Sequence, residues 1–194
     1  MTPSVIDVPP GQVVLLNGVS SSGKSSIAQQ LLVDLETPWF HMGVDMFGAM
    51  RGAQRTHGLD DAGVADVLRR TRTGFHRAVA GMARAGNDIV MDHVLSERWR
   101  LDDLLTVMAG IDVIFAGVHC AVEELERRER LRGDRTLGTA AGQIDQVHSY
   151  GDYDVEVDTT IESVATCSAR ISEYLRRPSA VRAFDRLRDA RDRA

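Results

Sequence analysis

One stretch near the N-terminus constrains the fold of this chain more than any other. Residues 18–25 read Gly-Val-Ser-Ser-Ser-Gly-Lys-Ser, the pattern G-x-x-x-x-G-K-S of loops that bind the phosphates of ATP and GTP. Small residues let consecutive backbone N–H groups turn inward on the β- and γ-phosphates, where a larger side chain would block the approach. The predicted nucleotide contacts are Gly18, Val19, Ser20, Ser21, Ser22, Gly23, Lys24, Ser25 and Ser26. Within this set we expect the Lys24 ammonium to bind the phosphates and the Ser25 hydroxyl to bind Mg²⁺.

The sequence on either side of this loop supports the motif. The apolar run 13–16 suits a buried parallel strand, and the apolar residues of 27–35 fall on one face of a helix that begins at the loop. A strand, a glycine-rich loop and a helix in this order also direct the partial positive charge of the helix N-terminus at the phosphates. The alternative, a Gly/Ser-rich surface turn, lacks this context.

Lys24 is the only lysine in the chain, and every other strong base is arginine. A compact ammonium on a flexible stem is therefore kept where a phosphate-binding loop needs one. A GTPase that reads guanine through an N-K-x-D or T-K-x-D element needs a second lysine, so the sequence excludes that class.

The overall composition limits the number of domains and the kinds of partner that this chain can have. A chain of 194 residues with 43% hydrophobic and 26% charged residues suits a single domain, and a formal net charge of -5 argues against nucleic acid as a partner. No apolar run approaches the length of a bilayer span and the N-terminus lacks a targeting segment, so we expect a cytoplasmic protein without a membrane partner. The six histidines form no zinc pattern, and Cys120 and Cys167 read as buried thiols. Whether the protein forms a homo-oligomer stays open.

A carboxylate follows the predicted second strand, 39–42. In open parallel sheets, ligands bind beyond the carboxyl ends of the strands, so Asp45 would stand where chemistry is expected. There it could accept the proton of an attacking hydroxyl, or it could cap a helix that begins at Met46. The segment 46–63, with glycines and no clear periodicity, has the length of a substrate-covering segment or of a plain surface loop.

The predicted third strand, 89–92, also ends in an acid. An apolar strand that closes with Asp92 resembles a Walker-B element, whose carboxylate holds Mg²⁺, although a helix-capping role is the alternative. We therefore predict Ser25 and Asp92 as the metal site. His93 beside it reads as a packed histidine rather than a catalyst.

A later helix, 123–132, ends in a cluster of arginines. Arginines that flank a glycine on a mobile segment are suited to neutralising a transferring phosphoryl group, so we predict a lid at about residues 128–140. Its predicted nucleotide contacts are Arg128, Arg132 and Arg135, with Arg135 also catalytic. Arg127 and Arg130 are assigned to the solvated face.

The elements together predict one α/β domain spanning 1–194, of the P-loop nucleotide-kinase type. Its doubly wound, parallel, five-stranded sheet would have helices on both faces, an arginine-bearing lid and the strand order 2-3-1-4-5. We expect one helix from Ala65 to Ala85, before the third strand, and another from Ser96 to Met108, after it. The charged C-terminal helix, about 179–194, would be exposed or frayed.

Several runs between Val13 and Thr160 resemble the chloramphenicol phosphotransferase family of antibiotic-modifying enzymes. They are Asn17-Gly18, Ser20-Ser21, Gly23-Lys24-Ser25, Pro38-Trp39, Gly43-Val44-Asp45, residues 82–86, 97–100 and 132–135, Gln143, Val147-His148 and residues 153–160. The resemblance implies a nucleotide-kinase-like fold, Asp45 as the base that deprotonates the acceptor hydroxyl, and residues 132–135 as a lid over ATP. The segment after Asp45 and His93 depart from the family pattern.

These expectations combine into a function. The sequence predicts a phosphotransferase that uses ATP and Mg²⁺ to phosphorylate a hydroxyl of a small molecule, with an antibiotic as acceptor and resistance or self-protection as the role. Two alternatives stay open. One is a kinase of a central metabolite such as a nucleoside, shikimate or a sugar nucleotide, and the other is a nucleotide-binding regulatory protein.

Overall fold

A central parallel sheet organises the chain. The computed structural model describes residues 8–132 and 141–193. The strands within these ranges are β1 (Val13–Asn17), β2 (Trp39–Gly43), β3 (Asp88–His93), β4 (Val113–His119) and β5 (Val155–Asp158). They form one five-stranded sheet in the order β2-β3-β1-β4-β5, and each neighbouring pair is parallel. The predicted sheet and its strand order are confirmed.

Helices cover both faces of this sheet. They are α1 (Lys24–Asp34), α2 (Val44–Ala49), α3 (Ala53–His57), α4 (Asp61–Arg84), α5 (Arg98–Val107), α6 (Val122–Arg132), α7 (Ile144–His148), α8 (Val164–Arg176) and α9 (Ala183–Asp192), with a short 3-10 turn at Ala141–Gln143. Helices α1 and α8 pack on one face, while α4, α5 and α9 pack on the other. This two-sided cover is the doubly wound architecture that the sequence predicted.

The apolar run of β1 follows from its central position. All five of its residues are buried, because β1 lies between β3 and β4 and has helices above and below it. Val13 and Leu15 pack with α4 and α5, whereas Val14 and Leu16 pack with α1 and α8. A strand covered on both faces needs apolar residues at successive positions rather than at alternate ones.

The segment 46–63 is more regular than its sequence suggested. Helices α2 and α3 occupy half of it, and the Phe47 ring packs against Phe75 of α4 with centroids 5.0 Å apart. The start of α4 at Asp61 also precedes the predicted Ala65, because the Asp60 side chain accepts a hydrogen bond from the Gly63 N–H at 2.8 Å and caps the helix. Short helices carry little periodicity, and the packing of α2 against α4 had no signal in the sequence.

Two predictions about helix ends are wrong. Helix α5 begins at Arg98 with Glu97 at its N-cap position, so Ser96 does not cap it. The C-terminal helix α9 is not a frayed surface helix, because Phe184 is 2% exposed and its ring lies 5.4 Å from that of Phe115. Arg182 at its start also holds Asp112 before β4 at 2.7 Å. A single buried aromatic residue anchors a helix whose other positions are mostly charged.

Candidate active site

The glycine-rich loop connects β1 to α1 through two residues of positive φ. Ser21 has φ 62° and Gly23 has φ 92°, a region that favours glycine. Gly18 is required for a different reason, since a Cβ there would lie 2.4 Å from the carbonyl oxygen of Val118 in β4. The motif glycines thus allow the tight turn and the close approach of the loop to the sheet.

The first turn of α1 is open to an anion. No side chain caps this helix and no acidic residue lies in its first turn. Ser21 Oγ is buried and has no hydrogen-bond partner among the described residues. Unsatisfied donors at a helix N-terminus, with the positive end of the helix dipole, suit the phosphates of a nucleotide.

A cavity of about 570 Å³ lies in front of this loop. Its walls include Ser20, Ser21, Gly23, Lys24, Ser25 and Ser26 from the loop and the start of α1, Val44, Asp45, Asp92 and Val94 at the carboxyl ends of β2 and β3, and Arg128, Leu131, Thr159, Glu162, Ser163 and Val164 from α6 and the segment after β5. Of the predicted nucleotide contacts, Gly18, Val19 and Ser22 do not line it. Val19 instead packs with Cys120, Leu125 and Val147.

Lys24 and Ser25 point their polar ends at neighbours within the site. Lys24 is buried and its Nζ donates to the carbonyl of Val19 at 2.7 Å. Ser25 Oγ donates to Asp92 Oδ2 at 2.5 Å, and the His41 imidazole lies 3.6 Å from the same oxygen. Burial acts to raise the pKa of Asp92, but His41, the Lys24 charge and the Ser25 hydroxyl together lower it. Asp92 is therefore a carboxylate at neutral pH.

The Ser25 and Asp92 pair fits the donor set of Mg²⁺. Magnesium in phosphate-transfer sites takes one or two protein oxygens and fills its remaining positions with water and phosphate oxygens. Within the described part of the chain, no three His, Cys, Asp or Glu side chains form a metal site by themselves. The hydroxyl and carboxylate beside the loop are therefore suited to a nucleotide-bound ion rather than to a protein-held one.

Asp45 lines the same cavity as the glycine-rich loop. It sits in the first turn of α2, just beyond the carboxyl end of β2, and its side chain is exposed and lines the cavity. The N-cap of α2 is Gly43, so the alternative that Asp45 caps a following helix does not hold.

Arg128 lies in α6 and is held against the loop. Its guanidinium donates to the Ser21 carbonyl at 3.2 Å and to the Thr159 carbonyl at 2.8 Å. The side chain of Arg132, the last residue of α6, and all of Arg135 lie outside the described residues. Arg127 and Arg130 make exposed ion pairs with Glu124 and Glu126.

Comparison with known families and proteins decides the class of this chain. Residues 11–176 match the model of the family described as chloramphenicol phosphotransferase-like protein. The chain belongs to the chloramphenicol phosphotransferase-like family. A relative in Mycobacterium tuberculosis, named on a provisional basis as an O-phosphotransferase, is 31% identical over 201 residues, covering 93% of this chain and 89% of its own length.

Solved structures similar to this chloramphenicol phosphotransferase-like protein show the same fold. The M. tuberculosis APS kinase in complex with AMPPNP and APS superimposes with a TM-score of 0.66 at 18% identity, over 87% of this chain and 99% of its own. The Deinococcus radiodurans tunicamycin resistance protein gives 0.65 at 17% identity, over 85% of this chain and 95% of its own. Shikimate kinase from Acinetobacter baumannii gives 0.62 at 10% identity, over 89% and 97%. The chain is a phosphotransferase with the fold of P-loop kinases.

Sequence reasoning on this chloramphenicol phosphotransferase-like protein missed several residues around the site. Thr159, which joins the loop to β5, had entered only as part of the family-like run 153–160. Arg72 precedes the buried Phe75 by three residues and the buried Val79 by seven, so all three lie on one face of α4. That spacing was the sequence signal that Arg72 is partly buried. The contact between His76 and His93 had no sequence signal, because it joins a helix to a strand.

None of the helices within residues 8–132 and 141–193 combines the length and apolar character that crossing a bilayer requires. Both cysteines of this family member are buried free thiols, as expected.

Proposed function

We propose that this protein transfers the γ-phosphate of ATP to a hydroxyl group of a small molecule, with Mg²⁺ as cofactor. The observation that carries the proposal is that Asp45 and the phosphate-binding loop line the same cavity. An alcohol bound between them would have its oxygen directed at the γ-phosphorus and its proton directed at a carboxylate.

Each step of the transfer has a group on this chain to support it. The acceptor oxygen forms a bond to the γ-phosphorus while the bond from that phosphorus to the bridging oxygen breaks, and ADP leaves. The acceptor proton passes to the Asp45 carboxylate. Lys24 and the first turn of α1 bind the phosphates, and Ser25 and Asp92 would hold Mg²⁺, whose charge offsets that of the phosphates when it is bound. In this proposal Arg132 and Arg135 act from the lid.

The acceptor in this proposal is an alcohol on an antibiotic or a similar metabolite. Support comes from the family to which the chain belongs and from a fold shared with a tunicamycin resistance protein. The fold is equally shared with APS kinase and shikimate kinase, so a central-metabolite kinase is the alternative. Incubation of the protein with ATP, Mg²⁺ and panels of both compound classes, followed by mass spectrometry for an added phosphate, separates the two. ATP hydrolysis without any phosphorylated acceptor would favour the regulatory protein instead.

Replacement of Asp45 tests the role of the carboxylate. We expect Asp45→Asn to keep ATP affinity within about twofold and to lower turnover by roughly 10²-fold or more, since the amide cannot take the proton. Asp189→Asn, on the exposed side of α9, is the matched control and should keep full turnover. Unchanged turnover in Asp45→Asn would remove Asp45 as the base.

A further inference from the structure

A second cavity lies beside the first, between α4 and α5. It has a volume of about 480 Å³, and its walls include Arg69, Arg72, Trp99 and Arg100. The two cavities are neighbours, because Arg100 Nη1 donates to the Val94 carbonyl at 2.8 Å and Val94 lines the first cavity. The second cavity therefore adjoins the side of the active site that contains Asp45.

Arg100 is buried, and one of its N–H groups has no acceptor among the described residues. It is only 6% exposed, and its Nη2 pairs with Glu97. Its Nε, however, is buried and has no hydrogen-bond partner among the described residues. A buried N–H of a charged group without an acceptor is costly, so an acceptor from a ligand would stabilise it.

Arg72 lines this cavity, and its charge interacts with that of Asp45. It makes no hydrogen bond or ion pair with any residue in the described ranges, although it is half-buried. Burial and the Arg100 charge lower its pKa, and Glu97, Arg51 and Asp45 are the other charges that act on it. Arg51 Nη1 is likewise buried without a partner in the described part of the chain. Arg72 and Arg100 thus line the second cavity with N–H groups that have no acceptor among the described residues, and the Arg51 charge acts on Arg72.

The carboxylates of the second cavity offset only part of the charge of these arginines. Asp66 is exposed and paired with Arg70 at 3.0 Å, and Glu97 is already engaged by Arg100. Arg69 lies over the Trp99 ring at 4.5 Å. Like charges that lack a counter-ion repel one another, whereas an anion between them would accept charge-assisted hydrogen bonds from each.

We infer that the second cavity binds an anionic group of the acceptor, a carboxylate, sulfate or phosphate, against Arg72 with Arg51 and Arg100 beside it. This inference rests on the proposed function for its use, because it lets the hydroxyl of the same molecule reach Asp45. It gives the acceptor a class: an alcohol with a fixed negative charge. Neutral alcohols leave the three guanidinium groups without an anion and are poorer substrates.

The first experiment measures anion binding without catalysis. Trp99 lies in the cavity wall and the only other tryptophan is Trp39 in β2, so a Trp39→Phe background isolates the Trp99 fluorescence. Inorganic sulfate is titrated at constant ionic strength with the phosphate-binding loop saturated by a non-hydrolysable ATP analogue. We expect a saturable change in fluorescence, weakened about tenfold or more by Arg72→Gln.

Arg84→Gln is the control for loss of one positive charge on α4. Arg84 donates to the Val107 carbonyl at the far end of the helix, so this variant should bind sulfate as the parent does. Arg72 makes no hydrogen bond within the described ranges, and we expect Arg72→Gln to fold with an unchanged melting temperature. A response that does not saturate, or equal sulfate affinity in Arg72→Gln and Arg84→Gln, would overturn the inference.

The second experiment uses pairs of alcohols that differ only in an anionic substituent. We expect the anionic member to have the higher kcat/KM, and Arg72→Gln to raise its KM roughly tenfold while leaving the neutral member unchanged. Equal kcat/KM for both members would contradict the inference. The two proposals fail separately: absence of sulfate binding overturns the anion site alone, whereas sulfate binding with no acceptor phosphorylated counts against the phosphotransfer.

Discussion

Arg128 donates two hydrogen bonds to Thr159. Its Nη1 lies 3.1 Å from the Thr159 hydroxyl oxygen, and its Nη2 lies 2.8 Å from the Thr159 carbonyl oxygen. The same hydroxyl donates to the carbonyl of Ser22 at 2.8 Å, and Arg128 also donates to that of Ser21 at 3.2 Å. The end of β5 and helix α6 therefore hold the backbone of the phosphate-binding loop in place.

This arrangement predicts that Arg128 supports nucleotide binding through its planar shape. A lysine cannot donate to Ser21 and to both oxygens of Thr159 at once, so we expect Arg128→Lys to weaken ATP binding about tenfold, measured by calorimetry. Arg127→Lys is the matched control, because Arg127 is exposed and pairs only with Glu124 among the described residues. Equal losses in both variants would show that Arg128 contributes general charge rather than loop support.

The contact of Ser25 with Asp92 predicts a magnesium phenotype. Asp92→Asn preserves an acceptor for the Ser25 hydroxyl but removes the carboxylate charge, so the fold should persist while the affinity for Mg²⁺ falls. We expect the Mg²⁺ concentration for half-maximal turnover to rise and maximal turnover to fall by roughly 10²-fold. Turnover is measured across a Mg²⁺ titration at fixed ATP. The same half-maximal concentration in the variant and the parent would exclude Asp92 from the metal site.

The buried histidines predict a loss of stability in mild acid. Asp103 accepts a hydrogen bond from His76 Nδ1 at 2.6 Å, and His76 Nε2 lies 2.9 Å from His93 Nε2. Burial lowers the pKa of His76, and burial with the His76 neighbour holds the pKa of His93 well below its ordinary value. The unfolded chain therefore binds more protons than the folded one below about pH 6.5, and the free energy of unfolding falls as pH falls.

Urea unfolding at pH 7 and pH 5 measures this effect. Each such histidine contributes up to about 1.4 kcal/mol per pH unit within its window. We expect His93→Leu to show a smaller drop in stability between the two pH values than the parent. His57→Leu, at an exposed position of α3, should keep the parent's drop. If His93→Leu kept the full drop as well, His93 would not be a source of the acid sensitivity.

Two glycines with opposite surroundings predict opposite effects on stability. Gly18→Ala would place a Cβ 2.4 Å from the Val118 carbonyl oxygen, so the loop or β4 must move and both melting temperature and ATP affinity should fall. Gly74 lies inside α4, and a Cβ added there would meet no atom within 4 Å. Gly74→Ala should therefore stabilise the fold by about 0.5–1 kcal/mol through the better helix propensity of alanine. Thermal unfolding followed by circular dichroism compares the two, and a stabilised Gly18→Ala would contradict the close approach of the loop to β4.

Local patterns were enough to predict the scaffold. The phosphate-binding loop, the apolar runs and the Asp near the end of β3 each depend on short stretches of chain, because phosphate binding and burial in a parallel sheet impose requirements on adjacent residues. Helix ends were less predictable. Asp60 rather than a residue near Ala65 starts α4, and Phe184 fixes a C-terminal helix whose charge pattern resembles that of a surface helix.

The sequence by itself determined the phosphate-binding loop and the parallel strands, because these follow from a motif of contiguous residues and from apolar runs, and the fold type that they indicate carried the strand order. Only the tertiary structure decided which side chains surround Asp45 and the second cavity. Arg51 follows α2, Arg72 and Arg100 lie in α4 and α5, and His76 and His93 come from a helix and a strand, so each group is dispersed in the chain. Charges and hydrogen bonds depend on distance in space, and no spacing along the chain encodes a distance between residues brought together by packing.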